Sequence, residues 1–331
     1  MADQTGQLDI FSRPRSDAWK ELSADDLAAL LLLDEVRFFG PQKFRHLFEL
    51  GIAPRTILDD PESVAAVGGK RTEEFARRIS ELALLQRGRA LERASDLLRK
   101  ADRLEGRVLS YGDEWYPPIL LKSNYPIPLL FVRGSLSVLS GIAAVACVGS
   151  RKIRPPYSEL HKKFATYAAE RGFTIVSGFA LGADSIGHRA ALSVKARTIA
   201  VLPGGLDRPF PPENKVLWQE FLDADQAALV SEAPFGLRAS SLTLRRRNKL
   251  IAGMSLGVLV TQSATKGGAM NAFRFALEDK KPVATFRADS RDDVSGNKVI
   301  SADSRAKGPV FGLDGSEEEF EQWLAGLDSS T

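Results

Sequence analysis

Sulfur and imidazole are scarce in this 331-residue chain, which carries one cysteine, three methionines and three histidines. A lone cysteine, Cys147, cannot form an internal disulfide or a cysteine-based metal site, and its apolar neighbours mark it as a core thiol. His46, His161 and His188 are too far apart to give a metal-ligand spacing, so neither metal nor cofactor is expected. A large excess of either charge is missing too. Lys and Arg number 45 against 42 Asp and Glu, so a basic surface can arise only by local clustering. No apolar run approaches the ~18 residues that cross a bilayer, and residues 1–15 hold no signal-peptide core. The expectation is therefore a cytoplasmic chain with no membrane partner. Two nucleotide fingerprints are also absent: Gly-x-Gly-x-x-Gly, and Gly-Lys-Ser/Thr, whose lack argues against an NTP hydrolase.

What is present falls into segments. Residues 1–20 are polar and read as a loose arm. Residues 21–105 are helical and short-turned: Ser23 precedes Asp25 and Asp26 as an N-cap with an acidic first turn. Gly40-Pro41 and Gly68-Gly69-Lys70-Arg71 each put a glycine turn before a basic helix start, resembling helix-hairpin-helix units, in a small all-helical, SAM-like domain. The charged stretch 87–107 reads as a solvated or connecting helix. Short elements near 108–112 and 128–134 read as sheet edges, because prolines flank them. From residue 143 the period changes. Apolar runs at 143–148, 174–176, 198–202, 228–230, 258–260 and 283–284 alternate with helical patterns at 157–171, 184–195, 213–222, 245–254 and 269–277. Such alternation specifies an α/β fold with a mostly parallel, doubly wound sheet, here over 106–312, whose ligands bind beyond the carboxyl ends of the strands. Residues 313–331 read as an acidic surface helix or tail.

The turns after those strands hold the candidate phosphate-binding residues. The first gives Gly149, Ser150, Arg151 and Lys152, the second Ser177, Gly178 and Gly182, the third Gly205. Glycine lets a backbone approach a ligand, and a helix N-terminus with nearby cations favours an anion. Asp184 is expected to cap the helix it opens. Further on, Arg245, Arg247, Asn248 and Lys249 lie in a cation run with no acid, where guanidinium grips phosphate and asparagine can take a base edge or sugar. Lys266, Gly267 and Gly268 open one more helix.

In this order the motifs resemble the DNA processing protein A (DprA or Smf) family. They are Val148-Gly149-Ser150-Arg151, Ile175-Val176-Ser177-Gly178, Gly182-Ala183-Asp184, Gly205-Leu206-Asp207, Pro211-Pro212-Glu213-Asn214, Arg247-Asn248-Lys249-Leu250-Ile251-Ala252-Gly253, Lys266-Gly267-Gly268-Ala269 and Ser295-Gly296-Asn297. The resemblance implies an extended Rossmann-like domain that binds single-stranded DNA without catalysis. It also implies a homodimer that loads a RecA-type recombinase in DNA uptake, or works in a related defence role. Three departures from the family pattern stand out: Pro155-Pro156-Tyr157-Ser158, Phe179-Ala180-Leu181, and Lys266-Gly267-Gly268 in place of Ser-Gly. Leu181 stands where an arginine is commoner, and no winged-helix segment follows the sheet, which suggests a divergent member. Two other readings remain: a sensor of a nucleotide-derived ligand, and a lonely-guy-type phosphoribohydrolase, against which Pro203-Gly204-Gly205-Leu206 lacks the Gly-Thr and glutamate.

Overall fold

A computed structural model describes residues 17–140 and 143–328; the first sixteen residues of the expected arm lie outside it. Five helices come first: α1 (Ala24–Asp34), α2 (Pro41–Glu49), α3 (Pro54–Asp59), α4 (Ala65–Gly68) and α5 (Thr72–Arg103). Ser23 starts α1 as a capping box. Its hydroxyl accepts the Asp26 amide at 3.1 Å, and the Asp26 carboxylate accepts the Ser23 amide at 3.3 Å. The 32-residue α5 absorbs the charged stretch. Acids Glu73 and Glu74 sit in its first turn and Lys100 and Arg103 in its last, matching the helix dipole. Its buried positions, Phe75, Ile79 and Leu82, then Ala90, Ala94, Leu97 and Ala101, recur at the helical period. The first group packs among the short helices and the end of α5 reaches the sheet.

The sheet has nine strands: β1 (Gly106–Leu109), β2 (Leu130–Gly134), β3 (Ala144–Val148), β4 (Thr174–Ser177), β5 (Thr198–Val201), β6 (Ala227–Ser231), β7 (Gly257–Val260), β8 (Val283–Phe286) and β9 (Lys307–Phe311). Their spatial order is β1-β2-β6-β5-β4-β3-β7-β8-β9, parallel except where β2 pairs with β1 and β6. The doubly wound α/β reading holds. β2 differs from the expected edge element, since it is paired on both sides. Its prolines, Pro126 and Pro128, precede the strand, so no ladder donor is lost. From β3 the chain winds one way through β4, β5 and β6 and then returns to the other side of β3 as β7. The topological switch point lies between β3 and β7.

Helices cover both faces: α6 (Pro118–Leu121), α7 (Tyr157–Glu170), α8 (Ala183–Ser193), α9 (Lys215–Asp223), α10 (Ser241–Gly253), α11 (Ala269–Glu278), α12 (Ser295–Ala302) and α13 (Glu317–Asp328). β3 shows why its sequence is apolar throughout: Ala144, Ala146 and Val148 join the cluster shared with α10, α11 and the N-terminal helices, while Val145 and Cys147 join the one under α7 and α13. The acidic C-terminal segment is helical over α13, and its Phe320 and Leu324 are buried beside Phe164 and Phe311. Cys147 is fully buried and burial pushes its thiol well up, leaving no thiolate. A thiol reagent at neutral pH should therefore label the native protein at least about 100-fold more slowly than the urea-unfolded chain, because reaction must await opening. Equal rates would contradict this burial.

Candidate nucleic-acid interface

The carboxyl ends of β3, β4, β5 and β7 bring together the turns singled out in the sequence. After β3, Gly149 is wedged so tightly that a Cβ there would lie 2.9 Å from Ala183 Cβ and 3.4 Å from the Gln262 carbonyl. The Ser150 carbonyl accepts the Ala183 amide at 3.1 Å, and the Ser150 hydroxyl accepts the Lys152 amide at 3.1 Å. Gly182 opens α8 with φ of +81°, and its α-carbon faces the carbonyls of Ser150 and Arg151. These contacts fix the loop after β3 against the start of α8. Arg151 and Lys152 are left exposed on its outer side.

The second turn is built around a buried guanidinium. A Cβ on Gly178 would fall 1.6 Å from Arg247 Nη1, so this glycine makes room for a side chain of the same chain. Arg247 is buried in that slot. Its Nη1 donates to the Val201 carbonyl at 3.0 Å and its Nη2 lies 3.5 Å from Asp184 Oδ2, which also accepts the Ala180 amide at 3.1 Å. Burial pulls Arg247 below the ordinary guanidinium range; Asp184 opposes the fall and the nearby charge of Arg151 adds to it. Ser177 is likewise turned inward, its hydroxyl donating to the Cys147 carbonyl at 2.6 Å. His188 anchors the turn from beneath. The Gly178 carbonyl, 2.6 Å from Nε2, can only accept, so the proton sits on Nε2, and Nδ1 faces the Thr198 hydroxyl at 2.7 Å. Asn214 holds the same turn from the side, donating to the Phe179 carbonyl at 2.9 Å.

Gly205 also serves the fold. A Cβ there would meet the Pro234 carbonyl at 2.5 Å and the Gly236 nitrogen at 2.7 Å, and the Asp207 carboxylate accepts the Gly236 amide at 2.7 Å. On α10, the 100° step of the helix splits the cation run. Arg245 and Arg246 are exposed, whereas Arg247 and Asn248 are buried, with the Asn248 amide donating to the Leu244 carbonyl at 3.0 Å. Lys249 leaves the crevice altogether: its ammonium sits 3.7 Å over the Tyr125 ring and 5.3 Å from that of Phe275. After β7, Gly267 packs against the Ser263 hydroxyl, and Lys266 and Gly268 are exposed at the start of α11. Asn297 underlies this loop, accepting from the Ser263 amide at 3.0 Å and donating to the Thr261 carbonyl at 2.8 Å.

Sequence reasoning missed Gln262. It is fully buried where β3 and β7 diverge, its carbonyl oxygen accepts the Arg154 amide at 3.0 Å, and its Nε2 has no protein partner. The one signal was a polar triplet, Thr261-Gln262-Ser263, directly ending an apolar strand. The result is a crevice floored by buried polar groups, with Arg151, Lys152 and Lys266 exposed on the loops that edge it. Cations with five or three N–H donors and, among the described residues, no carboxylate partner suit phosphate. Among the described residues no cluster of His, Cys, Asp and Glu could hold a metal, and no helix is long and apolar enough to cross a membrane.

Residues 107–308 match the family model described as DNA recombination-mediator protein A. Relatives include a Smf protein of Synechocystis, 30% identical over 268 residues, and one of Escherichia coli, 39% identical over 177 residues. These alignments take in 79% and 53% of the chain but only 65% and 46% of the relatives, so the chain spans about half to two thirds of their length. Among solved structures, DNA processing protein A of Streptococcus pneumoniae shares the fold with a TM-score of 0.68 at 22% identity, over 89% of this chain and 96% of that one. The Helicobacter pylori protein, described by its single-stranded DNA binding mode, gives 0.57 at 24% identity, over 69% and 97%.

Proposed function

The chain belongs to the DNA recombination-mediator protein A family, and from that premise we propose that it binds single-stranded DNA in the crevice at the carboxyl ends of β3, β4 and β7. The observation that carries this reading is the exposed Arg151–Lys152 pair beside the buried Arg247, on a loop pinned to α8. Such a rim holds a sugar–phosphate backbone without reading sequence. The crevice presents no named acid, base and nucleophile set, which favours binding over chemistry. On this reading the protein protects the strand and hands it, as a homodimer, to a RecA-type recombinase.

The test uses residues outside the core. Fluorescence anisotropy on a ~20-nucleotide strand should show binding that weakens with salt, by about 0.7 in the log–log slope per phosphate held. Arg151→Ala with Lys266→Ala should weaken it about tenfold and flatten the slope while leaving the melting temperature unchanged. Unaltered binding by that double variant would sink the crevice as drawn. Competition by a mononucleotide at equal potency would point instead to the sensor reading.

A further inference from the structure

The two glycine turns of the helical region, separate in sequence, adjoin in space around one exposed ring. Phe38 is 51% exposed and has φ of +67°, a left-handed conformation that costs a bulky residue energy. The Arg71 guanidinium lies 4.0 Å and that of Arg37 4.6 Å from its ring centroid. Lys43, at the start of α2, ties the turns together by donating to the Val67 carbonyl at 2.6 Å. Its ammonium is lowered by burial and then by the charge of Arg71. Lys70 is exposed next to Arg71, and among the patch's cations Arg71 has a carboxylate partner, Glu74 at 3.2 Å. An apolar ring held outward at a backbone cost, beside two guanidiniums, has no packing purpose that a glycine or asparagine would not serve better.

We propose that Phe38 is a base-stacking platform for single-stranded nucleic acid, with Arg37, Lys70 and Arg71 holding the flanking phosphates. A base displaces one guanidinium from the ring, and the freed cation takes the next phosphate. The platform rests on the crevice reading and extends it to a second surface; Arg246, on the exposed side of α10, lies near enough to Asp34 at the end of α1 to act on its carboxyl.

The experiment measures anisotropy of ~6- and ~20-nucleotide single strands with wild type, Phe38→Gly, Phe38→Tyr and Arg151→Ala. Phe38→Gly suits the positive φ, so it should melt at or above the wild-type temperature. It should bind the ~20-nucleotide strand about fivefold or more weakly, the effect of losing one stacked base. Phe38→Tyr should restore that affinity, and binding of the ~6-nucleotide strand should respond to Arg151→Ala and not to Phe38→Gly. Unchanged binding of the long strand by Phe38→Gly overturns the platform while leaving the crevice intact. Loss with Phe38→Gly but not with Arg151→Ala overturns the crevice and supports the platform. No binding to either strand by the wild type overturns both.

Discussion

Arg247→Ala is expected to cost about 3–5 kcal/mol of folding stability, the penalty for breaking a buried ion pair by removing one partner. The variant would strand the Asp184 carboxylate, which is buried and keeps only the Ala180 amide, and would leave the Val201 carbonyl at the end of β5 without its donor. It would also open a guanidinium-sized void beside Gly178. Gly178→Ala should do comparable damage from the opposite side: the new methyl would overlap Arg247 Nη1 and lie 2.4 Å from Asp184 Oδ2, inside a slot with no room to retreat. The discriminating measurement is a double-mutant cycle by urea denaturation. Arg247→Leu with Asp184→Asn removes both charges yet keeps an acceptor for Ala180, so the pair should lose less than the sum of its singles. A loss below about 1 kcal/mol for Arg247→Ala, or strict additivity in the cycle, contradicts a buried pair that holds the turn. Loss of DNA binding by Arg247→Ala would by itself say little about phosphate contact, because the crevice is built on this residue.

How far the sequence could be read depended on what each element buries. β3 to β8 bury both faces in a mostly parallel sheet and so appear as apolar runs, which is why their places along the chain were legible. β9 was missed because Lys307-Gly308-Pro309-Val310-Phe311 is an outer strand with one fully buried residue, Phe311, and a proline inside it. α12 was missed because it opens with Ser295, Gly296 and a buried polar Asn297 instead of an apolar stripe. Two of the glycines have a packing role that the sequence did not show. Gly178 and Gly205 make room for Arg247 and for the 234–236 backbone, contacts between segments far apart in sequence. Arg247 and Lys249 had no local mark separating them from Arg245; the helical rotation turns one inward and the other toward Tyr125. Gln262 could not be found without the strand order, since only the adjacency of β3 and β7 gives its position meaning.

The protein should lose stability on mild acidification, between about pH 6.5 and pH 4, through two histidines that lie under the crevice. His161 and His188 are fully buried, and burial lowers each from 6.5 to about 4. Arg247 adds to the lowering at His188, while Asp184 opposes it at His161. The sign follows from proton counting. At pH 7 both are neutral in the folded and unfolded chain, so their full contribution is present. As the pH falls through 6.5 the unfolded chain binds two protons that the folded one refuses, and stability declines until about pH 4. Each can remove about 3 kcal/mol over that interval. Asp34 and Glu232, whose carboxyls burial raises, take up protons in the folded state and offset part of the loss. Exposed carboxylates lowered by partners, such as Asp303 at about 2, act at still lower pH. Urea midpoints at pH 7 and pH 4.5 should therefore differ clearly, while imidazole NMR signals of His188 in the folded protein at pH 5 stay those of the Nε2–H tautomer. Because that proton is the one given to the Gly178 carbonyl, titration of His188 near pH 6.5 in the folded state, or a midpoint independent of pH, would mean the turn that positions Arg247 is solvated rather than sealed.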